Sequence, residues 1–303
     1  MNSFNLRITL LLMGITMQLA YGQQTSVPSE KLFSFGVLAD IQYADADKKG
    51  KRDYRNSLSK LENCITEFNK HDLSFVVSLG DVIDRDYESF AKPLAILDKS
   101  KAKVYNIIGN HEYAIDDQYK DEVKKRLNNK KGYFEFEMGN LVFLVVDGTD
   151  LSMLAYAKDS EKYNEGLAKL EEVKKAGANN AYDWNGGIGE KQFSWLEKRL
   201  QKAESQNKKV VLFCHWPLLP ENGTQLWNNK KVLELIEGKK SVVAWVSGHH
   251  HAGGYEKVNG IHHLTIKGMV EATSETSCGI MDVYSDRLML KGFGDQPDQE
   301  LSF

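Results

Sequence analysis

The stretch Gly109-Asn110-His111-Glu112 directly follows an apolar run, Val104 to Ile108, that is typical of a buried strand. An amide and an imidazole therefore stand at the point where that strand ends. In open α/β sheets, ligands collect at the carboxyl ends of the strands. The stretch thus predicts an α/β protein with a binding site at one edge of its sheet.

Four other apolar runs end in a similar way, so that polar groups follow five predicted strands. Phe33 to Ala39 is followed by Asp40-Ile41-Gln42, Leu73 to Leu79 by Gly80-Asp81-Val82-Ile83-Asp84, Val210 to Cys214 by His215, and Val242 to Val246 by Gly248-His249-His250-His251. Any one Gly-Asp pair after a strand is often only a turn. Carboxylate, amide and imidazole groups gathered at one rim predict a binuclear metal site.

The three consecutive histidines cannot all serve one site, because adjacent residues in an extended segment point to opposite faces. His249 and His251 can converge on a metal, and His250 is predicted to face away. His262 and His263 lie in a later predicted strand without a partner motif. We therefore interpret these two as ordinary surface or core histidines.

Composition indicates a globular protein with a sizeable core. The chain has 303 residues, of which 42% are apolar, and its formal net charge is −3. It has no long basic run, so a nucleic-acid polymer is not an expected partner. Its three cysteines, Cys64, Cys214 and Cys278, lack metal-binding spacing; Cys64 and Cys214 are predicted to be core residues, with one disulfide possible.

The order of predicted elements indicates one mixed α/β domain over residues 31–303. Residues 58–68 carry apolar side chains at helical spacing between the first two strands, which indicates a parallel strand–helix–strand unit. A hairpin over residues 133–146 breaks that alternation and suggests a mixed sheet with two packed layers. Three antiparallel strands are predicted near the carboxyl terminus, at 261–266, 279–284 and 287–290.

Residues 148–189 differ from the rest of the chain in texture. Residues 158–175 are helix-forming but rich in Lys and Glu, and residues 177–189 are rich in Gly, Asn and Tyr. One interpretation is a solvated helix and a loop. We favour a cap over the metal rim, because Trp184 offers an aromatic face and Asn185 an amide beside permissive backbone.

The first 22 residues are predicted to be a secretory signal peptide. Arg7 precedes the apolar run Ile8 to Met13, and the small residues Ala20 and Gly22 follow. An uncleaved membrane anchor is the alternative. With cleavage near Gly22, we expect a secreted or periplasmic protein without stable membrane association.

The order of motifs resembles the calcineurin-like metallophosphoesterase superfamily: D-x-H, G-D-x-x-D, G-N-H-E, a lone His after a strand, and G-H-x-H, over residues 33–251. Gln42 departs from it, at the place of the histidine of D-x-H. With this departure, residues 32–42, 54–58, 184–187 and 253–255 resemble the manganese-dependent ADP-ribose/CDP-alcohol diphosphatase branch, and the similarity runs on to residues 290–292.

The resemblance implies a two-sheet mixed β-sandwich flanked by helices, the four-layer αββα fold. It also implies two divalent ions, Mn²⁺ in the first place and Fe or Zn as alternatives. One ion would be held by Asp40, Gln42, Asp81 and His251, and the other by Asp81, Asn110, His215 and His249. Because the Gln42 amide oxygen is a harder and weaker donor than imidazole, we expect a weakly held Mn²⁺ at that site.

The resemblance further implies catalytic roles for His111 and Asp84. His111 would act as general acid or stabilise developing charge, and Asp84 would orient it. Arg55 is a candidate for substrate binding because a guanidinium fits phosphate oxygens, with a plain surface arginine as the alternative. The amide of Asn185 is a second candidate.

The leading functional hypothesis is hydrolysis of the phosphoanhydride in a nucleoside diphosphate-linked small molecule such as ADP-ribose or CDP-choline. A general phosphomonoesterase or cyclic-nucleotide phosphodiesterase on the same scaffold is the first alternative. A catalytically silent metal-binding scaffold is the second. The expected partner is a small nucleotide or phosphoester substrate, and the oligomeric state stays open.

Overall fold

Two six-stranded mixed sheets organise the structure, a computed structural model that describes residues 30–303. The predicted signal peptide at residues 1–22 lies outside the described residues. In chain order the strands are β1 Phe33–Leu38, β2 Phe75–Ser78, β3 Val104–Asn106, β4 Phe134–Met138, β5 Leu141–Val145, β6 Leu151–Ser152, β7 Gly186–Gly187, β8 Lys209–Phe213, β9 Val242–Ser247, β10 Gly254–Val258, β11 Ile261–Thr265, β12 Ser277–Val283, β13 Arg287–Gly294 and β14 Gln299–Ser302.

The first sheet has the order β14-β13-β12-β1-β2-β3, and the second has the order β10-β11-β9-β8-β5-β4. Strands β1, β2 and β3 are parallel, and so are β5, β8, β9 and β11. Antiparallel strands complete each sheet. The parallel strands therefore present their carboxyl ends at one edge of each sheet, which is where the motifs stand.

Six α-helices lie within the described residues: α1 Ser57–Phe68, α2 Ala91–Leu97, α3 Val123–Arg126, α4 Glu161–Lys175, α5 Glu190–Ser205 and α6 Asn229–Glu237. Short 3-10 turns at Tyr87–Phe90, His111–Tyr113, Asp117–Glu122 and Met269–Glu271 join other elements. None of the helices in residues 30–303 has the length and apolarity needed to span a membrane.

Three apolar layers hold the sheets and helices together. Between the sheets, Phe35 of β1 packs against Phe143 of β5, with ring centroids 5.7 Å apart. On the outer side of the first sheet, the apolar face of α1 packs with Leu38 and Val76. On the outer side of the second sheet, α5 and α6 pack against β5, β8 and β9. The order helix, sheet, sheet, helix is the four-layer arrangement that the resemblance implied.

The predicted tail strands need one correction. Residues 261–265 do form a strand, but β11 belongs to the second sheet and runs parallel to β9. Four strands were not predicted from the sequence. β6 and β7 have only two residues each, and charged residues interrupt the apolar pattern of β10 and β14. Cys64, Cys214 and Cys278 are buried free cysteines, in agreement with the interpretation of Cys64 and Cys214 as core residues.

Candidate metal centre

The ends of five strands bring seven predicted metal ligands together. They are Asp40 after β1 with Gln42, Asp81 after β2, Asn110 after β3, His215 after β8, and His249 and His251 after β9. Most of them are deeply buried; Asp40, Asp81 and His215 are wholly inaccessible to solvent. The ligand atoms of Asp81, His215 and His249 all lie within 4.8 Å of one another, close enough to hold one metal ion.

Asp81 is the centre of the cluster. Its Oδ1 accepts a hydrogen bond from the backbone N–H of His111 at 2.9 Å. Its Oδ2 lies 3.3 Å from His215 Nε2 and accepts a hydrogen bond from Gln42 Nε2 at 3.0 Å. Burial raises the pKa of Asp81, but the nearby His215 and His111 outweigh burial and lower it. Asp81 therefore stays an anion between the two halves of the cluster.

Hydrogen bonds to the outer ring nitrogens fix how the three histidines face the cluster. His215 Nδ1 donates to the carbonyl oxygen of Leu79 at 2.7 Å. His249 Nε2 lies 3.0 Å from Asn185 Oδ1, and His251 Nδ1 lies 3.0 Å from Glu271 Oε1. Because the outer nitrogen of each ring donates its proton in a hydrogen bond to an oxygen, the inner nitrogen carries a lone pair that can bind a metal.

This donor set fits divalent cations. His215 Nε2 and His249 Nδ1 face each other at 3.1 Å, so two neutral rings would oppose their lone pairs there. Asp81 raises the pKa of His215 to about 9 although burial alone would lower it. The pocket thus requires positive charge between these groups, which a proton or a metal ion can supply.

The surroundings of Gln42 also fit a metal ligand. Its Oε1 is buried without a hydrogen-bond partner among the described residues. Its Nε2 lies 3.0 Å from Asp81 Oδ2 and 3.1 Å from His251 Nε2. Because the two ends of an amide are nearly alike in shape, a flip would turn the oxygen toward Asp81 Oδ2 and His251 Nε2, where it could bind a cation held between these groups.

The backbone holds four of these ligands in left-handed conformations. The φ angles are +52° at Asp40, +43° at Gln42, +55° at Asp81 and +67° at His249. Side chains other than glycine adopt this region rarely, and each instance costs about 1–3 kcal/mol. Strain of this kind gathers at functional sites, where the surrounding fold imposes it.

Gly109 explains why a glycine precedes the Asn-His pair. A methyl group at this position would lie 2.8 Å from the backbone nitrogen of Asp81 and 2.9 Å from its Cγ, and closer still to Oδ1. The chain after β3 can therefore approach the Asp81 carboxylate only without a side chain. This approach lets the N–H of His111 bind Oδ1.

His111 lies beside the cluster, 21% of its side chain being exposed. Its Nδ1 lies 2.7 Å from the backbone carbonyl oxygen of Asp84, whereas the Asp84 carboxylate is 3.6 Å away. The carboxylate is instead bound by Arg85, with a closest distance of 2.6 Å. Asp84 therefore contacts His111 mainly through its main chain. This arrangement differs from the predicted orientation by the carboxylate.

Two buried or half-buried acids support the cluster and were not assigned roles from the sequence. Glu112 accepts backbone hydrogen bonds from Asp81, Val82 and Gly109 at 2.9, 2.5 and 2.6 Å. Burial, followed by the charge of Asp81, raises its pKa to about 7. Glu271 binds His251, and that hydrogen bond lowers the pKa of Glu271. Glu112 stands in the G-N-H-E motif, so its position was visible and its role was not.

A cavity of about 490 Å³ opens over the cluster. Asp81, Asn110, His111 and His249 form part of its floor, and Leu154 and Trp184 from the predicted cap segment line it as well. Trp184 is 43% exposed and stacks on Tyr182 with a centroid distance of 4.3 Å.

Neither of the two predicted substrate-binding residues lines this cavity. Arg55 is exposed and paired with Asp45 and Asp47, at 2.6 and 2.5 Å, and does not line this cavity. Arg52, three residues earlier, does line it. Asn185 is 1% exposed, and its Nδ2 donates to the carbonyl oxygens of Asn180 and Gly223. These contacts favour a role for Asn185 in orienting His249.

Fold and donor set together define a metal-dependent phosphoesterase. The chain belongs to the calcineurin-like phosphoesterase family, whose sequence profile matches residues 33–253. The resemblance drawn from the order of motifs is thereby confirmed. Asp40 to His251, the span that carries the ligands, lies within the matched region.

Comparison with individual proteins shows which members of this family the chain resembles. The chain is 32% identical over 305 residues to a protein of Oryza sativa subsp. japonica named manganese-dependent ADP-ribose/CDP-alcohol diphosphatase, covering 90% of this chain and 95% of the relative. It is 31% identical over 323 residues to a Mus musculus protein of the same name, covering 91% and 94%. A dimetal phosphatase of Danio rerio has a similar structure, with a TM-score of 0.82, 26% identity and coverage of 90% and 100%. The predicted two-sheet fold is confirmed.

Proposed function

We propose that this chain is a manganese-dependent diphosphatase that hydrolyses the phosphoanhydride of ADP-ribose and CDP-alcohols and releases a nucleoside monophosphate. One observation carries the proposal: buried metal donors from five strand ends meet at the floor of a cavity that His111 also lines. Relatives named for this activity align with about nine tenths of the chain and support it.

We assign the ligands of two divalent ions to the seven clustered side chains. The first set is Asp40, Gln42, Asp81 and His251, and the second is Asp81, Asn110, His215 and His249. When bound, the ions supply positive charge at the phosphoryl oxygens and lower the pKa of the attacking water. The amide and carboxylate oxygens of the first set favour Mn²⁺ over softer ions.

His111 is assigned the proton transfer to the leaving group. Because its Nδ1 proton is held by the Asp84 carbonyl oxygen, Nε2 is the nitrogen that can exchange a proton with a substrate. In its protonated form, Nε2–H would donate to the leaving phosphate oxygen as the anhydride bond breaks. The bond to the main chain holds the ring in place for this step.

The cavity walls suit the rest of a nucleotide. Trp184, supported by Tyr182, presents a flat aromatic surface on which a base can stack. Arg52 lines the same cavity, 3.8 Å from Asp84 Oδ1 and 3.5 Å from Glu271 Oε1, and its guanidinium can bind phosphate oxygens. The segment 148–189 would thus act as a cap that contributes the base-binding face.

A substrate panel tests the proposal. ADP-ribose, CDP-choline, a cyclic nucleotide and p-nitrophenyl phosphate are assayed side by side with the Mn²⁺-loaded protein. We expect AMP and CMP to be released from the two diphosphates much faster than the other substrates react. Turnover of the monoester or the cyclic nucleotide alone would refute the diphosphatase and support the corresponding alternative.

Two variants separate catalysis from a silent metal-binding scaffold. We expect His111→Ala to retain its metal and to lose a factor of about 10²–10⁴ in kcat. His250→Ala is the matched control, because His250 neighbours two ligands and does not line the cavity. Equal turnover in the two variants would remove His111 from the mechanism.

We also propose that the protein is exported and acts on nucleotides outside the cytoplasm. The proposal is supported by the arrangement of Arg7, the apolar run and the small residues before Gly22. Expression of the full chain followed by amino-terminal sequencing of the secreted or periplasmic fraction tests it. An uncleaved amino terminus in the membrane fraction would contradict it.

A further inference from the structure

A second cavity, of about 600 Å³, adjoins the first. Its walls come from residues 48–60, 251–252 and 267–274, together with Asp295. His251 lines both cavities and is the one residue that their linings share. A molecule bound at the cluster by its phosphates is therefore adjacent to this second space.

Buried Lys60 fixes the wall of the second cavity. It extends from α1, is 3% exposed, and its Nζ donates to the carbonyl oxygens of Met269, Val270 and Ala272 at 3.3, 3.4 and 2.8 Å. From the other side, Asp295 accepts hydrogen bonds from the backbone nitrogens of residues 273 and 274, at 2.7 and 3.1 Å. The wall is therefore preformed.

Some charged side chains of this cavity have ion-pair partners in the described part of the chain and others do not. Glu271 is bound to His251 and Arg52, and Asp295 is spent on the backbone of the wall. Burial lowers the pKa of Lys60, and the charge of Asp53 partly offsets this effect. The Lys60 ammonium donates its hydrogen bonds to carbonyl oxygens of the wall. Three further lysines of the lining have no carboxylate within ion-pair distance anywhere in residues 30–303: Lys48, Lys51 and Lys267. The lining thus holds four lysines against three carboxylates, and Lys48, Lys51 and Lys267 give it a small excess of positive charge.

We propose that this lysine-lined cavity is a subsite for the distal half of the substrate and selects for negative charge on that half. The proposal rests on the diphosphatase function proposed above. The phosphates would lie at the cluster and the base against Trp184, so the group beyond the second phosphate extends past His251 toward the three lysines. Carboxylate or phosphate groups would bind more tightly there, and a quaternary ammonium would bind more weakly.

The expected selectivity has a definite order. Each exposed charge pair contributes modestly, so three lysines together should change kcat/KM by about ten-fold at low salt. ADP-ribose 1″-phosphate should be preferred over ADP-ribose, and CDP-glycerol over CDP-choline. Both preferences should shrink as ionic strength rises, because exposed charges are screened over about 10 Å at 0.1 M salt.

The experiment measures kcat/KM for these four substrates at low and high salt, on the Mn²⁺-loaded full protein. The test variant carries three changes: Lys48→Gln, Lys51→Gln and Lys267→Gln. We expect both substrate ratios to fall toward one in this variant. A variant with the same loss of charge on the exposed lysines of α5 and α6 serves as control: Lys191→Gln, Lys198→Gln and Lys230→Gln.

The outcomes are distinguishable. Three results would overturn the subsite and leave the diphosphatase standing. The diphosphates could be hydrolysed without a charge preference, the test variant could retain the preference, or the control could lose it as well. Failure to hydrolyse any of the four would overturn the diphosphatase and the subsite together. A preference for CDP-choline over CDP-glycerol would also contradict the subsite.

Discussion

Gly109→Ala tests whether the cluster depends on the close approach of the chain after β3. Gly109 does not adopt a left-handed conformation, so alanine is compatible with its backbone and the substitution acts through space alone. The added methyl group would lie 2.9 Å from Asp81 Cγ, whereas an ordinary contact begins at 3.4 Å. Asp81 or the loop must therefore move.

The size of the effect follows from that distance. A shift of about 0.5 Å or more is required at Asp81, and overpacking of this kind costs about 1–3 kcal/mol of folding free energy. A displacement approaching 1 Å at a catalytic group lowers rates by about 10²-fold. We therefore expect kcat/KM for ADP-ribose to fall about 10- to 100-fold, with less than two equivalents of bound Mn²⁺.

The measurements are kinetics with ADP-ribose and metal content after equilibration with Mn²⁺. Gly238→Ala is the matched control, because Gly238 has φ −79° and a methyl group there would meet nothing within 4 Å. We expect this control to behave like the unmodified protein. If Gly109→Ala retained both metal equivalents and activity within three-fold, the steric explanation of the Gly-Asn-His motif would be refuted.

Three further substitutions probe other parts of the structure. Gln42→His should shift metal preference from Mn²⁺ toward softer ions such as Zn²⁺, and an unchanged preference would contradict our account of this residue. Asn185→Ala should weaken metal binding about 10- to 100-fold by freeing His249, whereas a rise in KM alone would restore the substrate-binding role. Burial lowers the pKa of His263 to about 4, so stability should fall as pH drops from 6.5 to 4. His263→Leu should reduce that fall by about 3 kcal/mol in urea unfolding, and equal pH profiles would refute this.

The sequence predicted the strand ends well because apolar runs and the motifs that follow them are local patterns. β1, β2, β3 and β5 fall within predicted runs, whereas β8 and β9 each extend one residue beyond theirs. The polar residues that follow these runs meet as expected. Residues 261–265 were harder to place because His262, His263 and Thr265 are buried polar residues. Their strand was recognisable, and which sheet it joins depends on pairing with β9.

The supporting contacts were beyond local reasoning. Glu112 binds backbone groups of Asp81 and Val82, about thirty residues away in sequence, and Glu271 binds His251 from a separate turn. The inward direction of each histidine depends on such partners. Arg52 rather than Arg55 lines the cavity for the same reason, since the pairing of Arg55 with Asp45 and Asp47 is a matter of loop conformation.

The left-handed backbone at Asp40, Gln42, Asp81 and His249 brings two requirements into conflict: an unstrained backbone and correctly placed donor atoms. Glycine at any of these positions would relieve local strain, but it would delete a donor atom and leave buried neighbours without a hydrogen-bond partner. The fold therefore keeps a strained backbone for the donor atoms that this backbone places. In a library of variants ranked by turnover, glycine should be absent from these four positions.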